Sequence, residues 1–264
     1  MFDSHCHLHD ERLLGQADAA MARARAAGVS KIMLAGVCPE GWRVELELAQ
    51  RYPECLVSYG VHPQLAGERD EHALSEMVAA LERALAGDGW PAPHALGEIG
   101  LDRSTPALKR SMEVQERIFR RQLELARRCD LPVLLHVLEA HGRALELLEA
   151  EGLPAAGGVV HSYSGPPELV ADYERLGLYI SFTGIVCQPN ARRARASAAR
   201  VSPARLLVET DAPDQTPLPL RPAQNEPAFL PQVIAELSAL RGTSAGEIAA
   251  LTEQNARRLF RIDR

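Results

Sequence analysis

Hydrophobic and polar residues divide this chain into short apolar runs and longer amphipathic stretches. Runs of three to six mostly apolar residues, bounded by turn-forming or charged residues, are typical of short buried strands. Eight such runs predict eight strands, at residues 1–5, 31–35, 56–61, 95–97, 133–136, 158–161, 178–182 and 206–209.

The stretches between the runs have the apolar spacing of helices, and most of them stop at Gly or just before Pro. They predict helices at residues 17–27, 72–85, 109–129, 140–151, 167–176, 227–240 and 245–260, with a further helix after strand seven. Strands that alternate with helices favour a parallel sheet. For 264 residues, we expect one domain, 1–264, with the α/β fold of a (β/α)8 TIM-type barrel. An open doubly wound sheet is the alternative.

Residues that commonly bind metal recur at the ends of the predicted strands. They are His5 and His7 (strand one), His62 (three), Glu98 (four), His136 (five), His161 (six) and Asp211 (eight). In a barrel these strand ends meet at one rim, where barrel enzymes build their active sites. His72 and His141 are predicted to lie on helix surfaces, and His9 to lie past strand one and outside the site.

The types of these side chains indicate metal chemistry. Two side chains separated by one residue on a strand point the same way, so His5 and His7 can meet one ion. Four imidazoles and two carboxylates exceed the needs of one catalytic ion but suit two divalent ions bridged by a carboxylate. Mg, Mn and Zn all fit such ligands. The site is therefore typical of a hydrolase, and phosphate esters fit it best.

Composition narrows the class of protein. The formal net charge of −6 argues against a nonspecific polyanion binder. Five scattered cysteines form no disulfide pattern and no CxxC pair, which favours a reducing compartment. Neither a signal peptide nor an apolar run long enough for a membrane span is evident, so we expect a cytoplasmic protein with no membrane partner.

The ordered motifs resemble those of the TatD family of metal-dependent deoxyribonucleases, within the amidohydrolase-like barrels. The matching segments cover nearly the whole chain and include DSHCHL (3–8), GVHP (60–63), GEIGLD (97–102), HSYSG (161–165), ETDAP (209–213) and NEP (225–227).

The resemblance implies a role for each candidate residue. His5, His7 and Asp211 would hold one ion, His136 and His161 would hold the other, and Glu98 would bridge the two. Asp211 would also orient or deprotonate the attacking water. His62 resembles a group that faces the substrate phosphate; its alternative role is structural.

Some positions depart from the family pattern near the expected substrate region. Leu138 replaces an arginine, while Arg103 and Asp214 replace aromatic residues. Losing an arginine removes a bidentate phosphate contact, and losing an aromatic residue removes a base-stacking surface.

Three functions follow from these observations. The leading hypothesis is hydrolysis of phosphodiester bonds at DNA ends or in single strands by a water that two metal ions activate. The second is ester hydrolysis on another substrate, such as D-aminoacyl-tRNA. The third is a metal-binding protein without turnover, which the complete ligand set argues against.

Overall fold

A computed structural model gives the structure of residues 1–262; residues 263–264 of the predicted domain lie outside the described part. The described residues contain one parallel eight-stranded sheet in sequential order. Its strands are β1 (Phe2–Cys6), β2 (Lys31–Leu34), β3 (Cys55–Tyr59), β4 (Ala95–Asp102), β5 (Val133–Leu138), β6 (Gly158–Val160), β7 (Leu178–Phe182) and β8 (Leu206–Val208).

The sheet closes on itself where the segment after β8 meets β1. The amide of Asp211 donates to the carbonyl of His5 over 3.0 Å, and the amide of His7 donates to the carbonyl of Ala212 over 2.8 Å. The predicted barrel is therefore confirmed, and the alternative of an open sheet is wrong. These two hydrogen bonds also fix the backbone of three predicted metal ligands.

Helices separate the strands and cover the outside of the barrel. They are α1 (Glu11–Leu14), α2 (Ala17–Ala26), α3 (Pro39–Arg51), α4 (Glu71–Leu85), α5 (Pro106–Arg110), α6 (Met112–Cys129), α7 (His141–Glu151), α8 (Val170–Arg175), α9 (Arg192–Arg200), α10 (Leu230–Arg241) and α11 (Ala245–Phe260). Helix α3 was not predicted, although a proline in its first turn marks its start; its buried side carries Trp42 and Leu48. The single helix predicted for 109–129 is broken at Ser111.

The amino-terminal half of the barrel interior is apolar, with one residue from each strand. These residues are Phe2, Met33, Leu56, Ala95, Leu134, Val159, Tyr179 and Leu207. Helix α11 closes this end, because Phe260 stacks on Phe2 with ring centroids 5.6 Å apart. Nothing polar is needed here, so this end of the interior acts as the packed base of the site.

Close packing of strands β3, β4 and β5 requires glycine at two motif positions. A Cβ atom on Gly60 would lie 2.4 Å from the backbone carbon of Gly97, and a Cβ on Gly97 would lie 2.4 Å from Cβ of Leu134. Any side chain there would push β4 away from its neighbours. The glycines of the two motifs thus set the position of the adjacent Glu98.

A search of the described residues for a helix of membrane-spanning length and hydropathy found none.

Candidate metal centre

Six predicted metal ligands converge at the carboxyl end of the barrel. His5 and His136 lie within β1 and β5 as predicted, and Glu98 lies within β4 rather than after it, because β4 continues to Asp102. His7 and His161 directly follow β1 and β6, and Asp211 lies three residues beyond β8. His5, Glu98, His161 and Asp211 are buried, whereas His7 and His136 are partly exposed.

Glu98 lies at the centre of this cluster, and its two oxygens face different pairs of imidazoles. Oε1 is 2.9 Å from Nδ1 of His136 and 2.7 Å from Nε2 of His161. Oε2 is 3.3 Å from Nε2 of His5 and 3.6 Å from Nε2 of His7. A carboxylate placed in this way has the arrangement required of a ligand shared by two ions.

Asp211 completes the group that contains His5 and His7. Its Oδ1 lies 3.7 Å from Nε2 of His5 and 3.5 Å from Nε2 of His7. One potential ligand atom from each of the three residues lies within 4.8 Å of the others. The other oxygen, Oδ2, accepts a hydrogen bond of 2.6 Å from Nε2 of Gln215, a residue that sequence reasoning missed.

His62 lies against the cluster rather than apart from it. Its Nε2 is 3.1 Å from Oε1 of Glu98, and its Nδ1 accepts a hydrogen bond of 3.2 Å from the amide of Gln64. Together with Glu98 and His136 it forms another group that could hold an ion. A contact with substrate phosphate therefore stays a prediction for His62.

Two further carboxylates lie behind the rings of the predicted ligands. Oδ2 of Asp102 lies 3.1 Å from Nε2 of His136, which turns Nδ1 of that ring toward Glu98. Oε1 of Glu209 lies 3.5 Å from Nδ1 of His161. Carboxylates in such positions fix the ring orientation and the tautomer of metal-binding histidines.

The electrostatics of the cluster favour added positive charge. Burial opposes ionisation of Glu98, yet His161, His62 and His5 outweigh it and hold its pKa well below the ordinary value. Burial lowers the pKa of His161, but the carboxylates of Glu98 and Glu209 raise it by more, so the pKa lies well above its ordinary value. Cations can take the place of the protons that this carboxylate-rich site would otherwise attract.

The residues present therefore fit divalent metal cations. His5 and His161 stack with ring centroids 3.9 Å apart, and Nε2 of His5 lies 3.2 Å from Nε2 of His7. Ring nitrogens of neutral imidazoles in such contacts have lone pairs that converge on the same space as the carboxylate oxygens. That donor set is typical of Zn, Mn and Fe sites.

A cavity of about 350 Å³ opens above the cluster. Five of the six predicted ligands line it, as do His62 and residues from the loops after β1 and β3. His9 also lines it, so the prediction that His9 lies outside the site is wrong. His72 is exposed on α4 as predicted, whereas His141 is buried against Tyr173, which corrects its predicted surface position.

A barrel with imidazoles and carboxylates gathered at the carboxyl ends of its strands defines the class of metal-dependent barrel hydrolases. A family model described as TatD related DNase matches residues 2–261. The chain belongs to this family, and it is a metal-dependent hydrolase acting on phosphoester bonds. The predicted family, fold and reaction class are thus confirmed.

Individual relatives match along their full length. The chain is 35% identical over 274 residues to the 3'-5' ssDNA/RNA exonuclease TatD of Salmonella typhimurium, with 99% of each chain covered. It is 31% identical over 265 residues to YabD of Bacillus subtilis, an uncharacterized metal-dependent hydrolase, with 100% of both covered. The crystal structure of YjjV, a TatD homolog from Escherichia coli, superposes with a TM-score of 0.88 at 34% identity, covering 99% of this chain and 98% of that one.

Proposed function

We propose that this enzyme removes nucleotides from the end of single-stranded DNA with the help of two divalent cations, Mg, Mn or Zn. The observation that carries the proposal is the position of Glu98, whose two oxygens face His136 and His161 on one side and His5 and His7 on the other. A relative at 35% identity is described as a 3'-5' ssDNA/RNA exonuclease, which supports an end-directed action.

Each of the predicted site residues would have a separate role at the scissile bond. His5, His7 and Asp211 would hold one cation, His136 and His161 the other, and Glu98 both. When bound, such cations supply charge stabilisation of the phosphoryl oxygens and make a nearby water more acidic.

Asp211 is placed to orient that water and accept its proton. Oδ2 of Asp211 takes one hydrogen bond from Gln215, and a carboxylate oxygen has a second lone pair for a water. Burial raises the pKa of Asp211, but the neighbouring His7 and other imidazoles lower it by more. The pKa therefore lies below its ordinary value, and the carboxylate is ionised before reaction. The proton moves to Asp211 as the water oxygen bonds to phosphorus and the bond to the leaving oxygen breaks.

The size of the cavity favours a strand end as substrate. About 350 Å³ falls at the lower end of the range for small-molecule sites, so it suits a terminal nucleotide rather than a duplex.

The experiment is an activity screen of metal-depleted protein to which Mg, Mn, Zn or Co is restored one at a time. Substrates are single-stranded DNA labelled at either end, blunt duplex DNA and single-stranded RNA, with the Glu98→Ala variant as the inactive control. We expect metal-dependent shortening of the single strands from one end and two ions per chain by elemental analysis. No release from any phosphodiester with any of these metals would refute the proposal.

A second candidate, hydrolysis of the ester bond of D-aminoacyl-tRNA, is favoured by one feature of the cavity. Its lining contains Arg12 but no other Arg, no Lys and no Phe, Tyr or Trp, within the described residues. Arg12 is already held by Asp10 and Asp214, so the described lining offers neither a free arginine nor a Phe, Tyr or Trp ring on which a nucleobase could stack. Turnover of D-aminoacyl-tRNA faster than that of the labelled oligonucleotide would select this candidate.

A further inference from the structure

Next to the metal centre lies a buried pair formed by His9 and Glu45. His9 lies two residues after His7, and the centroids of the two rings are 5.6 Å apart. Glu45 lies in the middle of α3 with none of its surface exposed. Nδ1 of His9 is 3.1 Å from Oε1 of Glu45.

The Glu45 carboxyl makes no hydrogen bond to any described group, and the ring of His9 is the polar group that it approaches. Both of its oxygens and Nδ1 of His9 are fully enclosed, and the 3.1 Å contact is poorly aligned for a hydrogen bond. Catalytic-site hydrogen bonds are often misaligned in the free protein and tighten when substrate binds. Since Trp42 and Leu48 share the buried side of α3, an apolar residue at position 45 would avoid the penalty of burying a carboxyl. His9 is the polar group whose ring orientation Glu45 can fix.

The other donor side chains that line the cavity outside the metal ligands are already in use. The guanidinium of Arg12 is paired with Asp10 and Asp214. The Gln64 amide donates to Asp102 over 2.9 Å. As described above, both nitrogens of His62 are engaged.

Nε2 of His9 differs from all of these. It has no hydrogen-bond partner among the described residues, and it is not among the enclosed unpartnered atoms, so it is open to the cavity. Burial raises the pKa of the Glu45 carboxyl, which favours its protonated form and hydrogen donation to Nδ1. The imidazole hydrogen is then on Nε2, where it can be donated.

We propose that His9, oriented by Glu45, donates a hydrogen bond from Nε2 to a phosphoryl oxygen of the nucleotide held in the cavity. His9 contacts the substrate, and Glu45 acts through His9 as a positioning residue. This inference rests on the proposed function, since it assigns a further residue of the same site to substrate recognition.

The test measures KM and kcat on a labelled single-stranded oligonucleotide, and separately the Kd for thymidine 5′-monophosphate with the metal present. A hydrogen bond to a charged group changes affinity by about tenfold or more, so His9→Ala is expected to raise KM and Kd by about that factor. The kcat should change little, because the contact is made before and during reaction. Metal content should stay that of the wild type.

Glu45 variants separate positioning from structural support. Glu45→Leu should raise KM about as much as His9→Ala without lowering the melting temperature, because it removes a buried carboxyl. The double variant should be no worse than His9→Ala alone, as expected for two residues of one unit. Glu45→Gln keeps a hydrogen donor for Nδ1 in its side-chain NH2 group and should recover part of the affinity. His72→Ala, an exposed histidine on α4, is the matched control.

Three outcomes would overturn the assignment: unchanged KM and Kd in His9→Ala, additive effects in the double variant, or loss of metal from His9→Ala. A wild-type protein that binds the nucleotide but hydrolyses no phosphodiester would refute the proposed function instead. In that case the Kd measurements would still decide the role of His9.

Discussion

Gln215 donates a 2.6 Å hydrogen bond from Nε2 to Oδ2 of Asp211, on the side of the carboxylate opposite the two histidines of its metal group. The same Nε2 donates to Oγ of Ser162, and Oε1 of Gln215 accepts from the hydroxyl of Thr183. The amide thus ties Asp211 to the loops after β6 and β7. This hydrogen bond holds Oδ1 of Asp211 toward His5 and His7. It leaves the second lone pair of Oδ2 for a water.

Replacing Gln215 should therefore weaken the site without abolishing it. We expect Gln215→Leu to lower kcat/KM and affinity for Mn²⁺ by ten- to a hundredfold, the usual range for a group behind a metal ligand. Calorimetric titration with Mn²⁺ and steady-state kinetics provide the measurements. Gln50→Leu, at an exposed position on α3, is the control. Wild-type metal affinity in Gln215→Leu would show that the hydrogen bond has no positioning role.

Removing the shared carboxylate should have a far larger effect. Glu98→Ala deletes the group that faces both pairs of imidazoles, and we expect kcat to fall by more than the roughly 10²–10³-fold lost with a single stabilising contact. Bound metal measured by elemental analysis should fall below two ions per chain. Circular dichroism should remain that of a folded barrel, because β4 is held by neighbouring strands rather than by this side chain. Substantial residual activity in metal-depleted Glu98→Ala would contradict the proposed centre.

Asp102 offers a test of how the His136 ring is oriented. The carboxylate contacts Nε2 of His136, and the hydrogen bonds it receives hold its pKa below the ordinary value despite burial. In Asp102→Asn the neutral amide no longer favours the tautomer with Nδ1 free, so metal affinity should fall about ten- to a hundredfold. The comparison variant is Asp88→Asn at an exposed loop position. Equal metal affinities in the two variants would count against this orienting role.

The buried His141 predicts a pH dependence of stability. Burial lowers its pKa to about 4 from 6.5, so the folded protein keeps the imidazole neutral while the unfolded chain takes up a proton below about pH 6.5. Stability from this group is thus complete above pH 6.5 and is lost as the pH falls toward 4, by at most about 3 kcal/mol.

Urea unfolding of wild type and His141→Gln between pH 4 and 7 measures this effect. Glutamine can accept the hydrogen bond from Tyr173 but does not titrate, so the variant should lose less stability on acidification. If the free energy of unfolding changed equally with pH in both proteins, His141 would not be the source of the pH dependence. His72→Gln should follow the wild-type curve.

The sequence by itself determined the barrel and the meeting of six candidate residues at one rim, since both depend on local periodicity. Alternation along a strand places His5 and His7 on one side, and the end of each apolar run marks where a polar side chain reaches the rim. The length of β4 was underestimated because its polar residues, Glu98 and Asp102, interrupt the apolar run although both are buried within the strand. Local pattern cannot distinguish a buried polar residue in a strand from a loop residue.

Only the tertiary structure decided which atoms meet. The contact of Gln215 with Asp211 lies within one irregular loop, and the contact of Glu45 with His9 joins two separate segments, so neither leaves a periodic signal in the sequence. They depend on how a long loop folds over the rim and how α3 packs on the strands, both of which result from the summed packing of the whole barrel. His141 illustrates the same limit, because its helix pattern indicated a surface position while packing against Tyr173 buried it.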